Sequence, residues 1–267
     1  MSLLNLLNYL NPLISVVVIA VPALLFAQGR GAQPVRSARE IAPVDLTGYW
    51  VSVVTEDWRW RMVTPLKGDS ASVPITRDAK KIVDSWDPAK DEAAGLQCKA
   101  YGAAAIMRVP GRLHITWQND TSLKVETDAG MQTRLFRFGG APPPSDTAPS
   151  WQGDSAARWE PPTVVPGVGT GFSLGLGPRQ GVRSRSLEVV TTHLRPGYLR
   201  KNGVPYSEKT SVTEYYERFS EPDGDERLTV MTIVTDPGYL AVPFVTTSDF
   251  KKEPDGSKWD PTPCTAR

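Results

Sequence analysis

The chain holds two histidines, His114 and His193, and each stands where apolar and polar residues alternate. A zinc-type centre needs three or four ligands converging at fixed spacings. No such spacing of His, Cys or carboxylate surrounds either one, so both read as exposed strand histidines. A nucleophilic triad on His193 would need a serine on a strand-to-helix elbow, and nothing places one there: GFSLG at 171–175 follows no strand and opens no helix. Carboxylates pair up at Asp91-Glu92 and at Glu214/Glu217. On a strand, Glu214 and Glu217 point to opposite faces, which argues against a glycosidase pair and favours solvated faces. The glycine-rich run at 167–177, GVGTGFSLGLG, follows no strand and opens no helix, so it fails the context a phosphate-binding loop requires. No catalytic residue, metal ligand or cofactor is assigned.

The aromatic residues are the more suggestive set. Trp50, Trp58, Trp60 and Trp117, with His193, could line a pocket for a small hydrophobic ligand inside a barrel. Tyr49, Tyr198, Tyr215 and Tyr216 belong to the same group, and the competing reading is core and cross-strand packing. Cys98 and Cys264 are either a disulfide tying the C-terminal tail to the middle of the domain or two unrelated thiols.

The elements that must position these residues are mostly strands. Gly 22 and Pro 24 in 267 residues suit a turn-rich β fold. A net charge of +1 gives no basic field for nucleic acid. Gly48-Tyr49-Trp50 opens a first strand, and Trp58–Val63 alternates apolar with charged residues like a second. The one good helical pattern is 76–86, with Ala79, Ile82, Val83 and Trp86 on one face and Thr76 as N-cap. Leu113, Ile115 and Trp117, then Leu123, Val125 and Thr127, then MQTRLFRF form a meander with short turns. Residues 139–183 interrupt it with a Pro/Gly-rich insertion, whose second half is apolar: Val164, Val165, Phe172, Leu174 and Leu176. Strands resume at SLEVVTTHL, RPGYLRKNGVPY forms a turn region, and VTEYYERF and RLTVMTIV read as a hairpin. FKKEPDGSKWDPTPC reads as a polar tail. The expected fold is mainly β, an antiparallel lipocalin-like barrel or sandwich of roughly nine or ten strands, preceded by one transmembrane helix.

That helix is expected within residues 1–27. LISVVVIAVPALLFA at 13–27 is uncharged, and from Leu3 to Ala27 a helix would run ~37 Å, enough to cross a bilayer. A cleaved signal peptide is the alternative, but there is no Lys or Arg ahead of the apolar run and Leu25 is poor for a small-residue cleavage site. An anchor is favoured, with a linker over 28–44 and the β domain over 45–267. Arg30, Arg36 and Arg39 would hold their side in the cytoplasm, whereas a disulfide favours the outside. The expectation adopted is a single pass in a bacterial inner membrane with the domain in the periplasm.

Gly48-Tyr49-Trp50 resembles the G-x-W signature of lipocalin-like barrels. Trp151–Ser155, Arg158-Trp159-Glu160, Leu187–Thr192, Asn202–Glu208, Thr213-Glu214, Glu217-Arg218-Phe219 and Asp236–Leu240 together resemble a family of uncharacterised exported bacterial proteins. The resemblance covers most of 45–264. It implies a β-barrel and an export signal, and it brings no activity. The uncharged N-terminus and the apolar insertion depart from that pattern. The expected function is a non-catalytic accessory subunit of a larger membrane complex, such as a bacterial photosynthetic reaction-centre and antenna assembly. Its contacts would come from Leu13, Val17, Ile19 and Leu24 in the anchor and from the apolar insertion residues. A periplasmic binder of a small hydrophobic molecule comes second. An enzyme using His193 or Glu214 as general base comes third, and requires one of them to face a cavity.

Overall fold

The computed structural model describes residues 36–139, 147–160 and 186–267. Nine strands close into a barrel: β1 (Gly48–Val53), β2 (Arg112–Asn119), β3 (Ser122–Thr127), β4 (Thr133–Phe138), β5 (Asp154–Trp159), β6 (Leu187–Thr192), β9 (Ser211–Ser220), β10 (Glu226–Thr235) and β11 (Phe244–Glu253). A small hairpin, β7 (Gly197–Arg200) with β8 (Val204–Tyr206), stands apart. β1 pairs with both β2 and β11, which completes the ring. The expected β architecture is therefore a closed barrel and not a sandwich.

Alternation writes the inside of this barrel directly. Leu113 and Ile115, Leu123 and Val125, and Leu228, Val230 and Val234 are buried. Their strand neighbours face outward, as a period of two requires. With Trp50, Phe136, Tyr216 and Phe250 all of these but Val234 form one packed cluster, and Val234 joins a second with Leu199, Val204 and Phe244.

Four features depart from the sequence reading. First, Asp154–Trp159 lies within the expected insertion and is a strand, paired parallel with β4 through Phe136↔Ser155 to Phe138↔Ala157. The chain must cross the full barrel between Phe138 and Asp154, and a parallel pair needs a connection of about a dozen residues or more. Second, Trp58–Arg61 is one turn of helix, α1, following Asp57 in the left-handed region (φ 53). Alternation over four residues cannot tell a strand from a helical turn, and the β1 ladder ends at Val53. Third, Phe250–Glu253 belongs to β11, the closing strand, and not to a polar tail. Its Lys251 and Lys252 disguise it, yet Lys252 lies over the Trp50 ring at 5.4 Å. Fourth, RPGYLRKNGVPY is the β7–β8 hairpin and not only a turn.

The barrel's two rims differ. At the lower rim β1 begins and the chain arrives from residue 36. There Ala38 O accepts from the Trp159 indole (2.9 Å), and Arg39 N–H donates to Asp120 O (3.1 Å). At the upper rim everything between the strands gathers into a cap. α2 (Arg77–Ser85) starts as expected, with Thr76 Oγ1 accepting from Ala79 N–H. α3 (Pro88–Ala93) follows, then 3₁₀ helices at Gln97–Tyr101 and Ile106–Arg108. Gly203 (φ +82) holds the β7–β8 turn against the Trp86 ring, where a Cβ would meet Cγ at 2.3 Å. Among the described residues no helix is long and apolar enough to cross a membrane. The expected span, 1–27, lies outside them.

Two covalent or ionic pins fix the cap. Cys98 and Cys264 pair as a disulfide with Cα atoms 5.1 Å apart, joining segments separated by 166 residues. Asp236, 1% exposed, accepts from Ser207 N–H and Oγ, Thr210 Oγ1, and the amides of Gly238 and Tyr239. Burial works against its charge, but these donors outweigh it and hold the carboxyl below the usual range.

Replacing both cysteines by alanine is expected to lower stability by about 2–5 kcal/mol, because the bridge closes so long a loop. Urea unfolding of the oxidised protein and the double variant measures it, and equal midpoints would contradict it. Asp236→Asn should cost about 1–3 kcal/mol at pH 7. Because the folded pKa is depressed, that contribution exists above the unfolded value and is lost as pH falls through the folded one. The gap between wild type and variant should therefore narrow below about pH 4; a gap independent of pH would contradict it.

Candidate functional site

The barrel interior is solid. Trp50, Phe136 and Tyr216 are 0% exposed, and the Phe136 and Tyr216 rings sit 5.4 Å apart. Within this core lies one ion pair. Arg134 on β4 and Glu214 on β9 form a two-pronged salt bridge, Nη2–Oε2 2.6 Å and Nη1–Oε1 2.9 Å, with both side chains fully buried. Arg134 Nη2 also donates to Thr191 Oγ1 on β6 (3.1 Å), and Thr191 shares a 2.8 Å hydrogen bond with Ser155 on β5. Burial alone would push the guanidinium down. Glu214, then Tyr216, reverses this and raises it. Burial, reinforced by Glu214, pushes the Tyr216 phenol far up. The guanidinium stays charged and the phenol stays neutral at any ordinary pH. Glu214 is thus not on a solvated face, and its committed oxygens do not suit a general base.

The five pocket candidates are not brought together. Trp50 is in the barrel core, with its indole donating to Leu46 O (3.0 Å). Trp117 packs half-buried on that core beside Phe138. Trp58 is 66% exposed on α1. His193 sits just past β6 at the upper rim, left-handed (φ 59), with Nδ1 3.0 Å from Asp154 Oδ2. His114 stacks flat on Tyr49 at 4.1 Å and meets Glu126 at 3.2 Å. Each histidine has a carboxylate partner, which the sequence did not announce. Asp91, likewise, is buried and accepts from Lys99 (2.6 Å) and Tyr198 (2.8 Å). The expected contact residues Leu13, Val17, Ile19, Leu24, Val164, Val165, Phe172, Leu174 and Leu176 lie outside the described residues.

Of the five, Trp60 borders a cavity in the upper-rim cap that the other four do not line. This hollow of about 420 Å³ opens in the upper-rim cap between the α1 segment, the 3₁₀ helices, β7 and the C-terminal tail. Arg61, Arg108, Arg200 and Lys201 line it, and no carboxylate does. The cations come from three chain segments. Arg61 ends α1, Arg108 ends the second 3₁₀ helix, and Arg200 and Lys201 lie at the end of β7 and its turn. Arg61 Nε donates to Arg108 O (3.0 Å), while Arg200 lies over the Trp60 ring at 4.8 Å and donates to Ala71 O (2.7 Å). Neither His193 nor Glu214 borders this cavity, so the arrangement a general base would require is not formed there. Sequence reading missed the cluster because its arginines are scattered between positions 61 and 200.

No family model matches the chain, and neither curated proteins nor solved structures give a match. The residues that carried the resemblance do have structural work: Gly203 packs on Trp86, Asp236 pins the cap, and Glu214 holds the core charge.

Glu214→Gln should cost about 3–5 kcal/mol, since it strands a buried guanidinium. Replacing the pair together, Arg134→Met with Glu214→Leu, should recover most of that loss. Chemical denaturation of the three proteins tests this; a single variant within about 0.5 kcal/mol of wild type, an ordinary surface effect, would contradict it.

Proposed function

We propose that this protein is a non-catalytic accessory subunit, tethered to a membrane by its N-terminal segment and packed through its lower rim on a larger membrane complex. The observation that carries the reading is where the chain enters and leaves the barrel. The segment leading in from residue 36 is fixed at the lower rim by Ala38 and Arg39. The stretch 161–185 departs and returns at the same rim, where Glu160 N–H donates to Ser186 O (3.1 Å). The described chain thus leads toward the uncharged run at 13–27 and toward the apolar stretch at 164–176 from the same rim.

The filled barrel supports a scaffold and not a container. A lipocalin-like binder of a hydrophobic molecule needs a lumen, and here Trp50, Phe136, Tyr216 and Phe250 occupy that space. A single-pass subunit with a periplasmic domain is the kind that bioenergetic assemblies recruit, photosynthetic reaction-centre and antenna complexes among them. The disulfide favours the periplasmic side.

The test is co-purification from native membranes in mild detergent. Full-length protein should elute with a large complex and with an intact N-terminus by mass. Deleting 161–178 should release it from the complex while circular dichroism and thermal unfolding of the barrel stay unchanged. A soluble monomer lacking about 27 residues, a signal-peptide length, would overturn the reading, as would full retention in the complex after the deletion.

A further inference from the structure

Buried polar atoms without a partner occur at several places in the protein, and four of them gather on the upper-rim arginines. Arg61 is 8%, Arg108 6% and Arg200 4% exposed. Each uses part of its guanidinium in a structural bond. Arg61 also meets Glu56 at 3.3 Å, and Arg108 meets Asp57 at 2.8 Å. What is left over is unusual. Arg61 Nη2, Arg108 Nη1 and both Nε and Nη2 of Arg200 are buried and have no hydrogen-bond partner. A buried donor without a partner costs about 1–3 kcal/mol, and here four of them belong to three side chains lining one cavity.

The charges also crowd one another. Burial first, and Arg108 second, push the Arg61 guanidinium down. The same two causes bring Arg200 to about 10. Lys201 adds a fourth positive charge to the wall, with Nζ over the Tyr101 ring at 4.7 Å. Glu56, Asp57, Asp69 and Asp249 offset part of this crowding, and an anion entering the hollow would offset the rest.

We propose that the upper-rim cavity binds a small phosphate monoester, its phosphate held by Arg61, Arg108, Arg200 and Lys201. Guanidinium forks match the tetrahedral oxygens of a phosphate in two-pronged contacts. Three of them with an ammonium balance a dianion better than a single carboxylate. A hollow of about 420 Å³ exceeds what a lone phosphate needs. The remaining wall, including Val109, Leu199 and Pro263, suits a short organic group on the ester oxygen. The same headgroup chemistry could arrive on a soluble metabolite or on a lipid. This site does not depend on the subunit reading above.

Calorimetry and thermal unfolding on the detergent-solubilised full chain test the proposal. The probes are glycerol 3-phosphate, inorganic phosphate, and dihexanoyl phosphatidic acid below its micelle concentration, each against chloride at matched ionic strength. Glycerol 3-phosphate should bind one site and raise Tm beyond the chloride control. Lys201→Gln, which removes a partly exposed group without disturbing the core, should weaken binding about tenfold, the effect expected of one charge-assisted hydrogen bond. Arg200→Gln should weaken it further. Arg195→Gln, which removes a cation stacked on Trp151 away from the cavity, should change nothing. Tighter binding of the short-chain lipid than of glycerol 3-phosphate would assign the source to a headgroup, and equal binding would assign it to a soluble ester. The proposal is overturned if none of the three probes exceeds chloride with the wild-type protein, or if Lys201→Gln and Arg200→Gln both bind as wild type does.

Discussion

The closure of this barrel depends on one seam, and a buried charge pair spans it. Strands β4 and β5 run parallel and share three residue pairs, against ten between β9 and β10. Parallel ladders are also slightly weaker per residue. The Arg134 network crosses that seam from the inside. Its guanidinium leaves β4, reaches Thr191 on β6 and Glu214 on β9, and Thr191 in turn holds Ser155 on β5. Four strands are thereby fixed in one register by groups that must find each other or leave a charge stranded in the core. An apolar set of equal volume could stabilise the barrel as well or better. It would not discriminate as sharply against a register slip at the seam, because apolar contacts are non-directional.

The cap obeys the same logic with different parts. Its loops are long and cannot satisfy their own backbone groups, so buried side chains do it for them. Asp236 serves two separate loops, and the Asn202 amide donates to the carbonyls of Leu66 and Asp69. Arg61 and Arg200 also donate to backbone carbonyls, of Arg108 and Ala71. What marks the cavity arginines among these pins is how much surplus gathers in one place: Asn202 leaves one buried oxygen without a partner, and the three arginines leave four nitrogens. Asp236 spends its oxygens on five donors, whereas the arginines keep nitrogens that nothing in the protein uses.

Much of the barrel is legible in the sequence. From Leu113 to Val125, and again at Phe136 and Phe138, apolar residues alternate between short turns, and the structure follows them apart from a register shift between Trp117 and Asn119, with Thr127 and Arg134 standing in the same inward row. Thr76, with the apolar face of Ala79 and Val83, marks α2 for the same reason of period. Legibility fails where one face is not apolar. β5 reads DSAARW, with a serine and an alanine inward, because its partners there are Thr191 and a crowded core. β11 ends in two lysines, one of which, Lys252, lies over the Trp50 ring, so charge hides burial. The cavity is the least legible part. Its cations come from an α1 turn that resembles a strand, from a 3₁₀ turn and from a small hairpin, and no local pattern links them.

The two rims are also separated by distance. Strands of ten residues such as β9 and β10, tilted as barrel strands are, hold the rims roughly 25 Å apart. That is well beyond a Debye length of about 8 Å at physiological salt. If the lower rim carries the tether, anionic headgroups beside it exert little pull on the upper-rim arginines, and the positive cavity is not explained as a membrane-surface contact. Nor does the net charge of +1 call for such a concentration of cations. The arginine cluster is therefore best understood through what can enter it.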